Sequence, residues 1–157
     1  LSMEEAASVS SIGTMFANNK QITSFRGFKL FTGLKVLGGV VSRYVSFSNC
    51  TNLETIELPN SLVILSYQSF YNTGLKEITI PANVREILGE SIIRNEKLTT
   101  IILLPETPPK INNSSIHALN ENLKYIYVPD STITQYKQEY SRFWLAKLIR
   151  PLSEYHP

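Results

Sequence analysis

Three glutamates, Glu54, Glu57 and Glu77, stand where neighbouring turns of chain would bring carboxylates close together. Paired carboxylates can do general acid–base work. That chemistry needs a pocket that separates their pKa values, and an open sheet offers none, so solvated surface groups are the expectation. The single cysteine, Cys50, cannot form an internal disulfide. No base surrounds it in a Cys/His pattern, so it reads as a small buried hydrophobe rather than a thiolate nucleophile. His117 and His156 are the only histidines, and neither has metal-ligand spacing to another His or to the cysteine. Gly38-Gly39 lacks the Lys-Ser/Thr that would follow in a phosphate loop. The sequence therefore assigns no catalytic residue, no metal ligand and no cofactor.

Composition narrows the field further. The chain has 157 residues, enough for one domain with a real core, and 43% hydrophobic residues is ordinary for a globular protein. A net charge of +2, with scattered Lys and Arg, lacks the density that a phosphate backbone demands, so nucleic acid is not an expected partner. The longest apolar runs fall far short of the ~18 residues of a membrane span. No charged start followed by an apolar run marks a signal peptide. A chain that opens on Leu1 rather than Met is expected to be a fragment whose targeting segment was removed.

The elements that position any site are announced by a phrase that returns four times: Leu53-Glu-Thr-Ile-Glu-Leu-Pro59, Leu75-Lys-Glu-Ile-Thr-Ile-Pro81, Leu98-Thr-Thr-Ile-Ile-Leu-Leu-Pro105 and Leu123-Lys-Tyr-Ile-Tyr-Val-Pro129. The leading leucines are 22, 23 and 25 residues apart, a period that signals a solenoid. Period-two alternation turns the Ile and the last apolar residue inward. One such strand cannot bury its own apolar face, and stacking turns of chain makes a continuous core. Proline, lacking an N–H, ends each strand. A second apolar cluster, such as Leu62 to Leu65 or Val84 to Ile87, lies on each return path. The fold class expected is α/β: a solenoid with one parallel sheet of short strands, capped at both ends.

The ends read differently. Ser2-Met-Glu-Glu5 fits a capping box opening a short helix, with Gly13 at its exit. Phe16, Phe25, Phe28 and Phe31 would cover the first open edge. Gly33-Leu34-Lys-Val-Leu37 reads as a fainter first repeat, 19 residues before Leu53. Leu104 is an extra residue in the third unit, where an irregular loop is expected, with a short helix near Ser115 to Leu119. After Pro129, Asp130 or Ser131 suits an N-cap. Ile133, Tyr136 and Tyr140 recur at helical spacing, and Trp144 is expected to pack in that end cap. The division expected is one domain: cap 1–32, repeats 33–129 and helical cap 130–157.

Outward strand residues form two columns. One reads Thr55, Glu77, Thr100, Tyr125, and its neighbour Glu57, Thr79, Ile102, Tyr127. Adjacent tyrosines offer large contact area with a polar tip, which suits protein or sugar contacts. These eight residues are the candidate binding site, and the partner expected is a protein or glycan of unspecified identity. The competing expectation is a structural spacer within a larger surface protein, with no ligand of its own.

The repeat unit resembles the bacterial leucine-rich repeats named for the Bacteroides surface protein BspA. That unit, Leu-x-x-Ile-x-Ile-Pro, then Val-x-x-Ile-Gly, then Ala-Phe-x-x-Cys-x-x-Leu, is similar to Leu75 to Pro81, Val84 to Ile87 with Gly89 one place late, and Ser91-Ile92. Phe47 and Cys50 before Leu53 match its Phe and Cys positions, and Ser69-Phe70 stands at Ala-Phe. Thr107-Pro-Pro109 and Tyr127-Val-Pro129-Asp-Ser131 resemble its ending, and Phe31-Thr-Gly-Leu34 its start. Gly38-Gly39 departs from it, replacing an apolar strand end. The resemblance implies a right-handed leucine-rich-repeat solenoid, secreted or displayed on a bacterial surface and associated with adhesion, including binding to host matrix proteins. It also drains meaning from the glycosylation sequons at Asn49 and Asn112.

Overall fold

A computed structural model describes residues 2–39, 45–116 and 119–157. In chain order it contains helix α1 (Met3–Ser8) and strands β1 (Ser24–Phe25), β2 (Val36–Leu37), β3 (Thr55–Ile56), β4 (Ile64–Leu65), β5 (Phe70–Tyr71), β6 (Glu77–Ile80), β7 (Glu86–Ile87), β8 (Ile92–Ile93), β9 (Thr100–Leu103), β10 (Lys110–Ile111) and β11 (Tyr125–Val128). Helix α2 (Ile133–Glu139) and strand β12 (Ile149–Pro151) follow. The capping box is present: the Ser2 hydroxyl accepts from Glu5 N–H at 3.1 Å, and the Glu5 carboxylate accepts from Ser2 N–H at 2.6 Å. The helix it opens already ends at Val9, so Gly13 belongs to the following turn.

The single sheet expected from the repeats is a correction to make, because the strands form four separate sheets with parallel pairing throughout. The Leu-x-x-Ile phrases supply β3, which pairs with β1, and then β6, β9 and β11 in order, with β12 added beside β11. The apolar residues of the return paths pair as well, in the order β2-β4-β7-β10 and again as β5-β8, where Ile116 bridges to Ile92. Each turn of chain thus carries apolar residues at three places, and each place builds its own ladder. Left-handed residues keep the pieces short. Gln68 and Asn72 flank β5, and Gly89 and Arg94 flank β8, all with φ between +53° and +61°. A strand cannot continue through that conformation.

The second ladder also corrects the reading of the first repeat. Val36 and Leu37 of β2 pair with Ile64 and Leu65. Leu34 is therefore the counterpart of Leu62, not of Leu53. The counterpart of the Leu53 phrase is Ile22-Thr-Ser-Phe25, where Ser24 pairs with Thr55 and Thr23 O accepts from Glu54 N–H at 2.8 Å. Both sides of a turn present apolar-x-x-apolar, so spacing alone does not tell them apart. Ladder pairing extends on both sides of the expected boundaries at 33 and 130, with β1 before the first and β12 after the second.

Inside, Leu53, Leu75 and Leu98 are buried with Ile78, Ile80, Ile101, Leu103, Ile126, Val128 and Ile149. Each such burial contributes roughly 1.5–3 kcal/mol. Phe16, Phe47 and Phe70 stack face to face in a line, with centroids 5.3 and 5.6 Å apart and interplanar angles of 3° and 4°. Pro59 O and Pro81 O each accept from the N–H three residues on, which turns the chain after the strand. At the third unit Leu104 N–H still donates to Ile80 O, and Pro105 O instead accepts the buried Tyr136 hydroxyl at 2.7 Å. Tyr140 likewise donates to Pro109 O at 2.8 Å, so α2 is fastened to the irregular loop.

Two expectations near the end of the chain need correction. Ser115 lies in a turn and Ile116 in a bridge, so the described part of Ser115 to Leu119 holds no helix, and residues 117–118 lie outside the described residues. Nor does Asp130 or Ser131 cap α2. Residues Asp130–Thr132 form a 3-10 turn, Thr132 is the N-cap, and the Asp130 carboxylate accepts from Ser153 N–H at 2.9 Å. Trp144 starts a further 3-10 segment, Trp144–Leu148, packed partly buried against the core, and it delivers the chain to β12.

Candidate functional site

The register places the candidate residues in rows. Glu77, Thr100 and Tyr125 are directly paired across β6, β9 and β11, and so are Thr79, Ile102 and Tyr127. Thr55 and Glu57 stand at and just beyond β3, the neighbour of β6. Alternation sends all eight to the same side. Tyr125 is 41% exposed, and its ring lies 5.9 Å from that of Tyr127. Thr55 is exposed and donates its hydroxyl to Ser24 Oγ at 2.8 Å.

Two of the eight are not open to solvent. Thr100 is 9% and Ile102 6% exposed, a correction to their reading as outward surface. The cause is the segment after β12. It makes a short 3-10 turn, Leu152–Glu154, and then lays Tyr155 back over the strands. The Tyr155 ring packs edge-on against Tyr127 at 5.2 Å, and its hydroxyl sits 2.8 Å from both carboxylate oxygens of Glu77. A side chain that touches β11 and β6 at once must cross β9, which lies between them and carries Thr100 and Ile102. Burial and the accepting Glu77 carboxylate push the Tyr155 pKa up to about 12.

The other part of the band stays open. Glu57 and Thr79 line a groove of about 560 Å³ with Lys29, Leu30, Pro81 and Leu104. Lys29 Nζ bonds the Glu57 carboxylate at 2.6 Å, both side chains being about half exposed. Glu54 does not join Glu57 in a carboxylate pair. Its partners are Lys76 at 2.8 Å and Lys97 at 3.7 Å, which hold its pKa below the usual value. Exposed pairs of this kind contribute little stability but set the sign of the local field.

The remaining sequence candidates are scattered. Cys50 is fully buried, its thiol donates to Phe16 O at 3.0 Å, and burial raises its pKa. His156 is exposed beside Tyr155, and His117 lies outside the described residues. Among the described residues no group of three His, Cys, Asp or Glu side chains is placed to hold a metal ion, and no helix is long and apolar enough to cross a membrane. Sequence reasoning passed over Asn95 and Asn120, both buried three residues before a leading leucine, where Cys50 also stands. Asn95 Oδ1 accepts from the N–H and hydroxyl of Thr73 at 2.8 and 2.6 Å, and its Nδ2 donates to Phe70 O. Asn120 repeats the motif one turn later, accepting from Asn95 N–H and donating to Ile92 O. The signal was their shared offset from the leading leucine, masked by the habit of reading Asn as a turn residue.

A family model described as the BspA type leucine rich repeat region, in six copies, matches residues 42–142. The chain belongs to that family. No curated protein matches its sequence. In this chain the three-ladder turn separates two jobs: leucines, isoleucines and buried asparagines build the interior, and the strand residues that alternate with them face the other way. Such repeats suggest a module of surface proteins, typically non-enzymatic, and leucine-rich modules commonly mediate protein interactions.

Proposed function

We propose that this chain is a non-enzymatic binding module of a secreted or surface-displayed bacterial protein, a right-handed solenoid closed by the aromatic cluster at one end and by α2 with its following segment at the other. Its ligand is a protein or glycan, and its role is adhesion or contact with a host matrix or surface protein. The band of Thr55, Glu57, Glu77, Thr79, Thr100, Ile102, Tyr125 and Tyr127 is the binding face. The observation that carries this reading is the exposed Tyr125 beside Tyr127, which aligns through Ile102 with the groove-lining Thr79 on the same side of the β6-β9-β11 sheet. Rigid aromatics with polar tips, next to a charged rim, are the residues that carry binding energy in interfaces.

Capture from host matrix extracts and a glycan array, both with the intact chain, test it. A captured partner should bind at least ~10-fold more weakly to Tyr125→Ala/Tyr127→Ala, the loss of about 1.4 kcal/mol that separates a hot spot from a bystander. Unchanged binding by that variant removes the strand face from consideration, and capture of no partner by the intact chain leaves the spacer reading.

A further inference from the structure

Tyr155 sits in the middle of the proposed face as a ligand would, and what surrounds it describes a ligand. One wall is the Tyr127 ring, met edge-to-face. The floor is Ile102 and Thr100, both shielded from water. The far end is the Glu77 carboxylate, whose two oxygens receive one hydroxyl. This is an apolar slot with a single charged acceptor at its end. A phenol matches it: a flat ring for the walls and one O–H donor at the tip. A sugar, with hydroxyls on every edge, would leave most of them facing apolar walls without partners.

We propose that residues 152–157 occupy, within the same chain, a tyrosine-binding seat formed by Glu77, Thr100, Ile102 and Tyr127, and that the partner of this face is a protein segment presenting a tyrosine to that seat. The inference rests on the reading of the strand face as a binding surface and narrows its ligand to a protein. The segment is held lightly. Ser153, Glu154, His156 and Pro157 are exposed, and the contacts that hold the segment include the Asp130 carboxylate on the Ser153 hydroxyl and backbone and Tyr155 on Glu77 and Tyr127. A segment with so few buried contacts opens at low cost. An incoming tyrosine then competes with a tethered one, so affinity for the partner is reduced by the fraction of chains already closed.

The test uses the full chain and a fluorescent peptide, Leu-Ser-Glu-Tyr-His-Pro, followed by anisotropy. The Tyr155→Ala chain, whose seat is vacated, should bind the peptide saturably and at least ~10-fold more tightly than the unaltered chain. A peptide with Phe in place of Tyr should bind ~10-fold more weakly, and so should the original peptide to Tyr155→Ala/Glu77→Ala. Circular dichroism and thermal unfolding verify that each variant is folded. If Tyr155→Ala, folded, binds the peptide no better than the unaltered chain, or if the Phe peptide binds equally well, the seat does not exist. A partner captured by the unaltered chain and lost in Tyr125→Ala/Tyr127→Ala, without peptide binding, keeps the face and removes the tyrosine seat. Peptide binding without any captured partner supports the seat and removes the adhesion role.

Discussion

Single buried amides set the strictest local demands. Asn95 satisfies the N–H and hydroxyl of Thr73 and the carbonyl of Phe70, all inside the molecule. Asn95→Ala leaves these groups without partners, and the expected loss is about 2–4 kcal/mol, since each buried orphan costs ~1–3 kcal/mol. Asn83 is the contrast: exposed, it donates only to Asn60 O, and Asn83→Ala should cost less than ~1 kcal/mol. Urea denaturation of both variants measures the difference, and equal midpoints would show that the interior amides are not structural. Ser69 and Ser91 follow the same logic at the corners. The one proton of the buried Ser69 hydroxyl is shared between Leu37 O and Ser66 O, and that of Ser91 lies among Leu65 O, Ser66 O and Leu88 O. At this scale the sequence was read in part. The leading leucines and strand isoleucines declare themselves by spacing, and Cys50 by its isolation. Asn95 and Asn120 did not, because a polar letter says nothing of burial until its neighbours are in place.

Elements are limited by their corners. Gly38 follows β2 with φ +107°, and a Cβ there would lie 2.6 Å from the carbonyl carbon and oxygen of Ser66 and 2.7 Å from Ser69 Oγ. Gly38→Ala therefore meets a forbidden backbone and occupied space at once, and about 2–4 kcal/mol of destabilisation is expected. Gly27 has nothing within 4 Å of a Cβ and no left-handed φ, so Gly27→Ala should stay within ~0.5 kcal/mol. Thermal unfolding of the pair checks this, and a Gly38→Ala chain as stable as Gly27→Ala would mean the corner adjusts freely. The Gly38-Gly39 pair thus has a structural job that the repeat pattern registered only as a departure. The same pattern misplaced Leu34 by one side of the turn. Its Leu-x-x-Leu spacing is shared by the first and second ladders, and only pairing partners distinguish them. The Leu53, Leu75, Leu98 and Leu123 phrases were legible because proline punctuates each one.

For the molecule as a whole, tyrosines couple stability to alkaline pH. Burial raises the pKa of Tyr136 and Tyr140 well above the ordinary value, and Tyr155 rises to about 12. An unfolded chain releases these protons near pH ~10. Above that pH the folded state binds more protons than the unfolded state, so unfolding becomes easier as pH rises. These tyrosines therefore contribute fully below pH ~10 and lose their contribution as pH climbs through the folded values. The melting temperature should be flat in this respect from pH 7 to 9 and fall steeply beyond pH ~10, and Tyr140→Phe should soften the fall. A profile unaffected by that replacement would show that other groups govern alkaline unfolding. None of this long-range architecture could be read from the repeats, since Tyr155 and Glu77 are 78 residues apart and belong to no common phrase.

That contact also counts. Tyr155 reaches from β11 across β9 to β6, a span of two strand spacings, or about 10 Å. One more repeat inserted between β6 and β11 would widen the gap to about 14 Å, and a Tyr155 ring resting on Tyr127 would no longer bring its hydroxyl to Glu77. Repeats can be gained or lost on the far side of β6 without consequence for it. Between β6 and β11 the contact fits the present number of repeats and no other.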